Sequence, residues 1–167
     1  MKQTVLVVDD DGPIRESLRK VLQAEGYEVV LAADGQEALS RFDPERVDLL
    51  LLDLNMPAKS GWDVFERFTF INPLLQIIII TGRDNQCGLA AAAGVGALME
   101  KPLDVPFLLR TMTALLAESA EVRLGRLAGF SYTRYAAPQH APLKAYQDAG
   151  STGTTRPQQK LSKQRGL

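Results

Sequence analysis

The sequence predicts an α/β fold in which helices cover both faces of one five-stranded parallel β-sheet. Short apolar runs alternate with amphipathic segments over residues 1–118, which is the pattern of repeated strand–helix units. The runs at 49–52 and 77–80 are apolar without interruption, as expected of strands that are buried on both faces. Residues that begin and end helices lie between the runs, such as Pro13 in a first turn and Gly26 at a left-handed end.

The individual elements follow from these patterns. Apolar runs bounded by turn residues predict strands at 4–8, 28–32, 48–53, 76–81 and 97–100. Apolar residues at helical spacing predict helices at 13–25, 34–42, 61–71 and 85–93, and a last helix that starts at Asp104. Asp11 and Asp34 are interpreted as N-caps, because a carboxylate accepts hydrogen bonds from the first amides of a helix. Small residues dominate 85–93, so this helix is expected to be the least rigid.

The composition is that of an ordinary globular protein, with 46% hydrophobic and 23% charged residues. No apolar run reaches the roughly 18 residues that a membrane-spanning helix needs, and the first residues do not resemble a signal peptide. A cytoplasmic protein without a membrane partner is therefore expected. Cys87 is the only cysteine, which excludes an intramolecular disulfide and a cysteine-based zinc cluster.

Charge and pattern change near residue 120. Residues 1–118 carry 11 basic and 18 acidic side chains, whereas residues 119–167 carry 8 basic and 2 acidic ones. We expect one domain over 1–120, with 121–128 left open as an extension of the last helix. Residues 129–167 lack a periodic apolar pattern and predict a disordered basic tail. Nucleic-acid binding is not expected, since the basic residues are sparse and no helix-turn-helix pattern accompanies them.

Polar side chains stand at the ends of four predicted strands. Asp9 and Asp10 follow the first strand, Asp53 ends the third, Thr81 ends the fourth and Lys101 follows the fifth. Ligand sites of open parallel sheets lie at the carboxyl ends of the strands. The sequence therefore predicts that three carboxylates, a hydroxyl and an ammonium group converge at one edge of the sheet.

This set of groups favours phosphoryl chemistry. Carboxylates about 4 Å apart repel by about 1–4 kcal/mol for each pair, so the cluster needs a counter-charge. Mg²⁺ prefers one or two carboxylates together with water and phosphate, and the Lys101 ammonium adds further positive charge. An ionised Asp53 can then attack phosphorus while Lys101 stabilises the transferred oxygens and Thr81 hydrogen-bonds the product.

Four motifs occur in the order VLVVDDD, LLLLDLNMP, IIIITGR and MEKP, and Gly61 follows the second of them. Together they resemble the response-regulator receiver family over roughly residues 3–118. The resemblance implies a flavodoxin-like doubly wound sheet with strand order 2-1-3-4-5 and helices on both faces.

The resemblance also implies a role for each site residue. Asp53 would be the phosphoacceptor and a Mg²⁺ ligand, Asp10 the principal metal carboxylate and Asp9 its neighbour. The backbone carbonyl of Asn55 would be a further metal ligand. The family's switch hydroxyl and phosphate-contacting lysine would be Thr81 and Lys101.

A receiver domain is a signalling module of two-component systems that assists its own phosphorylation and dephosphorylation, without acting as an enzyme on other molecules. The implied phosphodonor is a sensor histidine kinase or a histidine phosphotransfer protein. An output protein is expected to bind the face formed by the helix at 85–93, the fifth strand and the helix that starts at Asp104. Without a recognisable DNA-binding domain, a single-domain regulator similar to chemotaxis receivers is expected.

Two departures from the family pattern leave alternatives open. Leu98 stands where the family usually has Tyr or Phe, so the aromatic switch is absent or altered, and an interaction module that works without phosphorylation remains an alternative. Gly82 and Arg83 follow Thr81 where the family often has Ala first, so access to the phosphoryl group is expected to differ. A haloacid-dehalogenase-like phosphatase is a weak alternative, because Asn55 stands where that family needs a second aspartate.

Overall fold

The computed structural model describes residues 2–56, 61–82, 86, 90, 93–129 and 134–136. Its elements in chain order are β1 (Thr4–Val8), α1 (Gly12–Ala24), β2 (Glu28–Ala32), α2 (Gly35–Arg41), β3 (Val47–Asp53), α3 (Gly61–Ile71), β4 (Gln76–Thr81), β5 (Ala97–Glu100), α4 (Val105–Leu116), α5 (Ala120–Leu127) and β6 (Arg134–Ala136). The helix predicted over 85–93 lies largely outside the described residues. Within the described part of the chain, no helix is long and apolar enough to cross a membrane.

The described strands form one sheet in the order β2-β1-β3-β4-β5-β6, and every neighbouring pair is parallel. The predicted order 2-1-3-4-5 is confirmed for the first five strands. Val8 pairs with Leu52, and Thr81 pairs with Glu100. The residues at and just beyond these pairs therefore reach the same edge of the sheet.

Alternate residues of the buried strands supply two apolar layers, one on each face of the sheet. On one face, Leu50 and Leu52 of β3 belong to the layer that includes Ala38 of α2 and Phe68 of α3. On the other face lies the layer of Leu49 and Leu51 with residues of α1 and α4, namely Leu18, Leu22, Leu108, Met112 and Leu115. Burial on both faces explains why residues 49–52 of β3 are an uninterrupted apolar run, as predicted.

The helix starts depend on local hydrogen bonds that the sequence predicts. The Asp11 carboxylate accepts from the Ile14 amide at 3.0 Å and caps α1. Asp34 caps α2 by accepting from the amides of Gln36 and Glu37, both at 2.8 Å. The cap interpretation of both aspartates is confirmed.

The chain does not continue α4 without a break over 121–128. α4 ends at Leu116, and α5 begins anew at Ala120 with Ser119 as its N-cap. The Ser119 hydroxyl accepts from the Val122 amide at 3.4 Å. A serine at this position favours a new helix start over continuation, because its side chain replaces a backbone acceptor.

The expectation that the chain has no regular structure beyond residue 129 is wrong for Arg134–Ala136. These residues form β6 and pair with β5 in the register Ala97 with Arg134, Leu98 with Tyr135 and Met99 with Ala136. An uncovered outer strand offers unpaired backbone groups, and aromatic and β-branched residues such as those at 132–136 favour pairing with it. The other residues of the predicted tail from 130 onward lie outside the described part.

Candidate functional site

The carboxyl ends of β1, β3, β4 and β5 place the predicted site residues together. Asp9 directly follows β1, Asp53 is the last residue of β3 and Thr81 the last residue of β4. Lys101 follows β5, and its amide donates to the Thr81 carbonyl at 2.8 Å. The convergence that the sequence predicts is therefore present in the fold.

Lys101 joins the two buried carboxylates of the site. Its Nζ atom lies 2.7 Å from Asp53 Oδ2 and 3.0 Å from Asp9 Oδ2. The side chains of Asp53 and Asp9 are only 1% and 2% exposed, whereas that of Lys101 is 24% exposed. The ammonium group therefore approaches from the solvent side and neutralises part of the buried negative charge.

Asp10 completes the carboxylate cluster from the exposed side. One carboxylate oxygen from each of Asp9, Asp10 and Asp53 lies within 4.8 Å of the others. Asp9 is held in place by the Asp11 amide, which donates to Asp9 Oδ1 at 2.8 Å, and by Arg15, which donates to its carbonyl. A compact set of oxygen donors with few protein ligands fits a hard divalent cation such as Mg²⁺.

The Asn55 side chain occupies the space that Gly82 leaves open. The backbone amide of Asn55 donates to Asp53 Oδ1 at 2.8 Å and thereby orients the carboxylate. A Cβ atom at Gly82 would lie 2.9 Å from Asn55 Nδ2. Asn55 Oδ1 is buried and accepts no hydrogen bond from the described residues. The space beside Gly82 is therefore filled by a side chain of the site, a relation that the sequence pattern did not reveal.

Gly61 allows α3 to approach the residues that follow Asp53. A Cβ atom at Gly61 would lie 2.5 Å from Leu54 Cα and 3.1 Å from the Asp53 carbonyl oxygen. Next to it, Trp62 is partly buried against the core, and its Nε1 atom donates to Gln86 Oε1 at 3.1 Å. Trp62 therefore links the start of α3 to the segment that contains Gln86.

Burial and pairing shift the proton affinities of the central pair. Burial raises the pKa of the Asp53 carboxyl group, and it outweighs the opposing effects of Lys101 and of the Asn55 amide. Burial alone would lower the pKa of the Lys101 ammonium group, but its hydrogen bonds to Asp53 and Asp9 outweigh that effect and raise it. Lys101 therefore remains charged, while Asp53 is a stronger base than an exposed aspartate.

Two residues of β4 and β5 bear on how a signal would leave the site. Thr81 and Leu98 are both fully buried, with 0% exposure. Leu98 lies in the same apolar layer as Ile79, its partner on β4, so no exposed side chain at this position is available to turn inward. Arg83 and Cys87 lie outside the described residues.

Comparisons with known proteins agree with this geometry. The family model of the response regulator receiver domain matches residues 5–113. Response regulator MprA of Mycobacterium bovis is 38% identical over 144 residues, which cover 80% of this chain and 63% of that protein. Its counterpart from Mycobacterium ulcerans is 41% identical over 118 residues, 70% of this chain and 51% of the relative. The chain thus spans half to two thirds of the length of these relatives.

Solved structures show the same fold. A CheY-like receiver domain protein of Methanospirillum hungatei superposes with a TM-score of 0.66 at 30% identity and covers 70% of this chain and 94% of its own. Response regulator TrrA of Thermotoga maritima, solved in complex with Mg²⁺ and beryllium fluoride, gives 0.62 at 32% identity over 68% of this chain and 98% of its own. The chain belongs to the response regulator receiver domain family.

Proposed function

We propose that this receiver domain accepts a phosphoryl group on Asp53 from a phosphohistidine of a sensor histidine kinase or of a histidine phosphotransfer protein. The observation that carries the proposal is that the buried Asp53 carboxylate contacts the Lys101 ammonium at 2.7 Å and has carboxylate oxygens of Asp9 and Asp10 within 4.8 Å. Such a pocket offers a nucleophile, a cation for the transferred oxygens and acidic ligands for a metal. Membership of the receiver domain family supports the proposal that this pocket serves phosphoryl transfer.

The transfer makes one bond and breaks another. A carboxylate oxygen of Asp53 forms a bond to phosphorus as the bond from phosphorus to the donor nitrogen breaks. The electron pair of the broken bond returns to the imidazole. The product is an acyl phosphate. Its oxygens would be contacted by the Lys101 ammonium, which lies 2.7 Å from Asp53 Oδ2, and by the hydroxyl of Thr81, which ends the neighbouring strand β4.

Asp9, Asp10 and Asp53, with the backbone carbonyl of Asn55, would hold Mg²⁺. The three carboxylates bring a charge of −3 against +1 from Lys101, so the site without a further cation repels a phosphoryl group. Two like charges about 4 Å apart near a protein surface repel by about 4 kcal/mol. When bound, Mg²⁺ supplies the charge that makes the pocket neutral and stabilises the transferred oxygens.

The experiment that tests the proposal compares Asp53→Asn with the matched control Asp63→Asn, which changes an exposed aspartate at the start of α3. Each full chain is incubated with Mg²⁺ and a small phosphodonor, and its mass is measured. The wild type and Asp63→Asn should gain one phosphoryl group, whereas Asp53→Asn should gain none. Undiminished labelling of Asp53→Asn would contradict the proposal.

A second candidate is an interaction module that does not depend on phosphorylation, and the buried Leu98 favours it. Without the usual aromatic at this position, the family's route from site to surface is missing. Beryllium fluoride with Mg²⁺ separates the two functions. Binding that alters hydrogen exchange within residues 93–104 supports the phosphorylation switch, and binding without any such change supports the second candidate.

A further inference from the structure

The guanidinium group of Arg15 contacts the backbone of the carboxylate cluster. Arg15 lies about one turn into α1, and its Nη1 atom donates to the Asp9 carbonyl oxygen. We propose that Arg15 is a positioning residue for Mg²⁺, which holds the peptide between Asp9 and Asp10 so that both carboxylates stay directed at the metal. The inference rests on the proposed function in taking Asp9 and Asp10 as metal ligands, and it requires no phosphoryl transfer.

The contact acts on the backbone that joins the two carboxylates. The Asp9 carbonyl belongs to the peptide group between Asp9 and Asp10, and a peptide group is planar and rigid. Fixing its oxygen therefore limits backbone rotation on both sides of the peptide, and the directions of both side chains depend on that rotation. The cluster brings one oxygen from each of Asp9, Asp10 and Asp53 within 4.8 Å of the others. This compact arrangement depends on where the peptide lies.

Asp10 depends on the contact more than Asp9 does. The Asp9 side chain is 2% exposed and has contacts of its own, with the Asp11 amide at 2.8 Å and with the Lys101 ammonium at 3.0 Å. Asp10 is exposed, so its direction depends more on the backbone that carries it. Loss of the Arg15 contact should therefore displace mainly the carboxylate of Asp10.

Helix α1 gives the guanidinium group a fixed base. The Asp11 carboxylate caps the helix through the Ile14 amide, and the Arg15 amide donates to the Asp11 carbonyl at 3.0 Å. Further along α1, Leu18 and Leu22 are buried in one of the two apolar layers. The half-buried Arg15 side chain thus starts from a helix that is packed on the sheet and reaches back to the residue after β1. The contact connects the packed helix to the metal site.

The charge of Arg15 would act in the opposite direction from its hydrogen bond. A positive charge near a cation site repels the cation, so a role limited to charge predicts tighter Mg²⁺ binding when Arg15 is neutralised. A positioning role predicts weaker binding, since residues that orient metal ligands typically contribute about tenfold or more to metal affinity. The two roles therefore predict opposite changes for the same variant.

The test measures the Mg²⁺ affinity of full chains by calorimetric titration, without a phosphodonor. Arg15→Met removes the donor and the charge, whereas Arg15→Lys keeps the charge and lacks the forked donor. Lys20→Met is the matched control, because it removes the same charge from an exposed position of α1. Hydrogen exchange of the Asp11 amide, measured without Mg²⁺, is the second readout. Its hydrogen bond to Asp9 Oδ1 spans Asp10 and is disturbed when the backbone there moves.

We expect Mg²⁺ to bind Arg15→Met about tenfold more weakly than wild type, with Arg15→Lys between the two. Lys20→Met should bind Mg²⁺ like wild type. The Asp11 amide should exchange faster in Arg15→Met, while the Leu22 amide stays protected and shows that α1 remains folded.

Mg²⁺ binding by Arg15→Met as tight as that of wild type or tighter, or unchanged exchange of the Asp11 amide, would overturn the positioning role alone. A wild type that binds no Mg²⁺ would overturn the metal site of the proposed function as well. Failure of Asp53 to accept a phosphoryl group would leave this comparison intact, since no phosphodonor is used in it.

Discussion

Lys101 Nζ lies 2.7 Å from Asp53 Oδ2, although 48 positions separate the two residues in the chain. Thr81 connects them structurally, because its strand lies between those of Asp53 and Lys101 and its carbonyl accepts from the Lys101 amide. The contact therefore depends on the registers in which β4 pairs with β3 and with β5. It also sets the charge balance of the site, since one ammonium group faces more than one carboxylate.

The first prediction concerns the stability of Asp53→Asn as a function of pH, measured without Mg²⁺. Burial raises the pKa of Asp53 above its ordinary value of 3.8, so the folded state favours the protonated carboxyl group more than the unfolded state does. Ionisation of Asp53 therefore lowers the free energy of unfolding progressively as the pH rises from 3.8 through the raised pKa, and the full cost is present above it. Asp53→Asn should increase the free energy of unfolding at pH 7, and the gain should shrink as the pH falls toward 3.8.

Urea unfolding at several pH values measures this difference. Asp63→Asn, at an exposed position, should show no comparable gain. A gain for Asp53→Asn that stayed constant from pH 7 to below pH 4 would show that the effect does not come from ionisation.

The second prediction separates two neighbouring aspartates. Asp10 belongs to the carboxylate cluster, whereas the Asp11 carboxylate caps α1 through the Ile14 amide. Asp10→Ala should weaken Mg²⁺ binding about tenfold or more, since it removes a ligand. Asp11→Ala should leave Mg²⁺ binding near that of wild type and lower the free energy of unfolding by about 1 kcal/mol.

Both quantities can be followed by the fluorescence of Trp62, the only tryptophan of the chain, which is joined to Gln86 by a hydrogen bond. Mg²⁺ titration gives the affinity and urea titration gives the stability. If Asp11→Ala were the variant that lost Mg²⁺ binding, the assignment of the two aspartates would be reversed.

The third prediction contrasts two glycines of the site. A methyl group at Gly61 would meet the Leu54 backbone, which cannot move without distorting the chain after Asp53. Gly61→Ala should therefore cost about 1–3 kcal/mol of stability. A methyl group at Gly82 meets the end of the Asn55 side chain, which can turn away, so Gly82→Ala should cost less than about 1 kcal/mol.

A double variant checks the physical reason for the smaller cost. If contact with Asn55 Nδ2 causes the loss in Gly82→Ala, the same substitution in an Asn55→Ala background should cost nothing measurable. Chemical denaturation of the four proteins gives the coupling energy. Equal costs of Gly82→Ala in both backgrounds would show that the contact is not responsible.

Local and periodic signals made most of the fold predictable. Asp11 and Asp34 act on amides two or three residues away, so their roles could be read from the sequence. The site could be predicted because Asp9, Asp53 and Lys101 stand at strand ends, and parallel strands bring such ends to one edge. The roles of these residues in phosphoryl transfer stay predictions.

Long-range polar packing could not be predicted in the same way. Gln76 begins an apolar strand and Arg126 lies on a short amphipathic helix, and neither position signals that the two side chains meet inside the protein. Likewise, three residues of β6 give too short a pattern to distinguish a strand from a loop. Ser119 did carry a readable signal, since a serine before an amphipathic segment is a usual helix start.

The last prediction tests the buried contact that fixes α5. The side chains of Arg126 and Glu118 are 3% and 8% exposed, so their ion pair is almost fully removed from water. Arg126→Met leaves the Glu118 carboxylate buried without the guanidinium charge and also removes the donor to Gln76 Oε1. Loss of one partner of such a pair should lower the free energy of unfolding by about 2–4 kcal/mol. The control Arg67→Met, at an exposed position of α3, should change it by less than about 0.5 kcal/mol.

Adding Glu118→Met to Arg126→Met should restore part of the loss, because neither charge of the pair then remains buried. Urea unfolding of the four proteins measures these differences. Because α5 precedes β6, which pairs with β5, hydrogen exchange at residues 97–100 should also rise in Arg126→Met. A loss of stability without faster exchange there would show that α5 does not hold β6 in place.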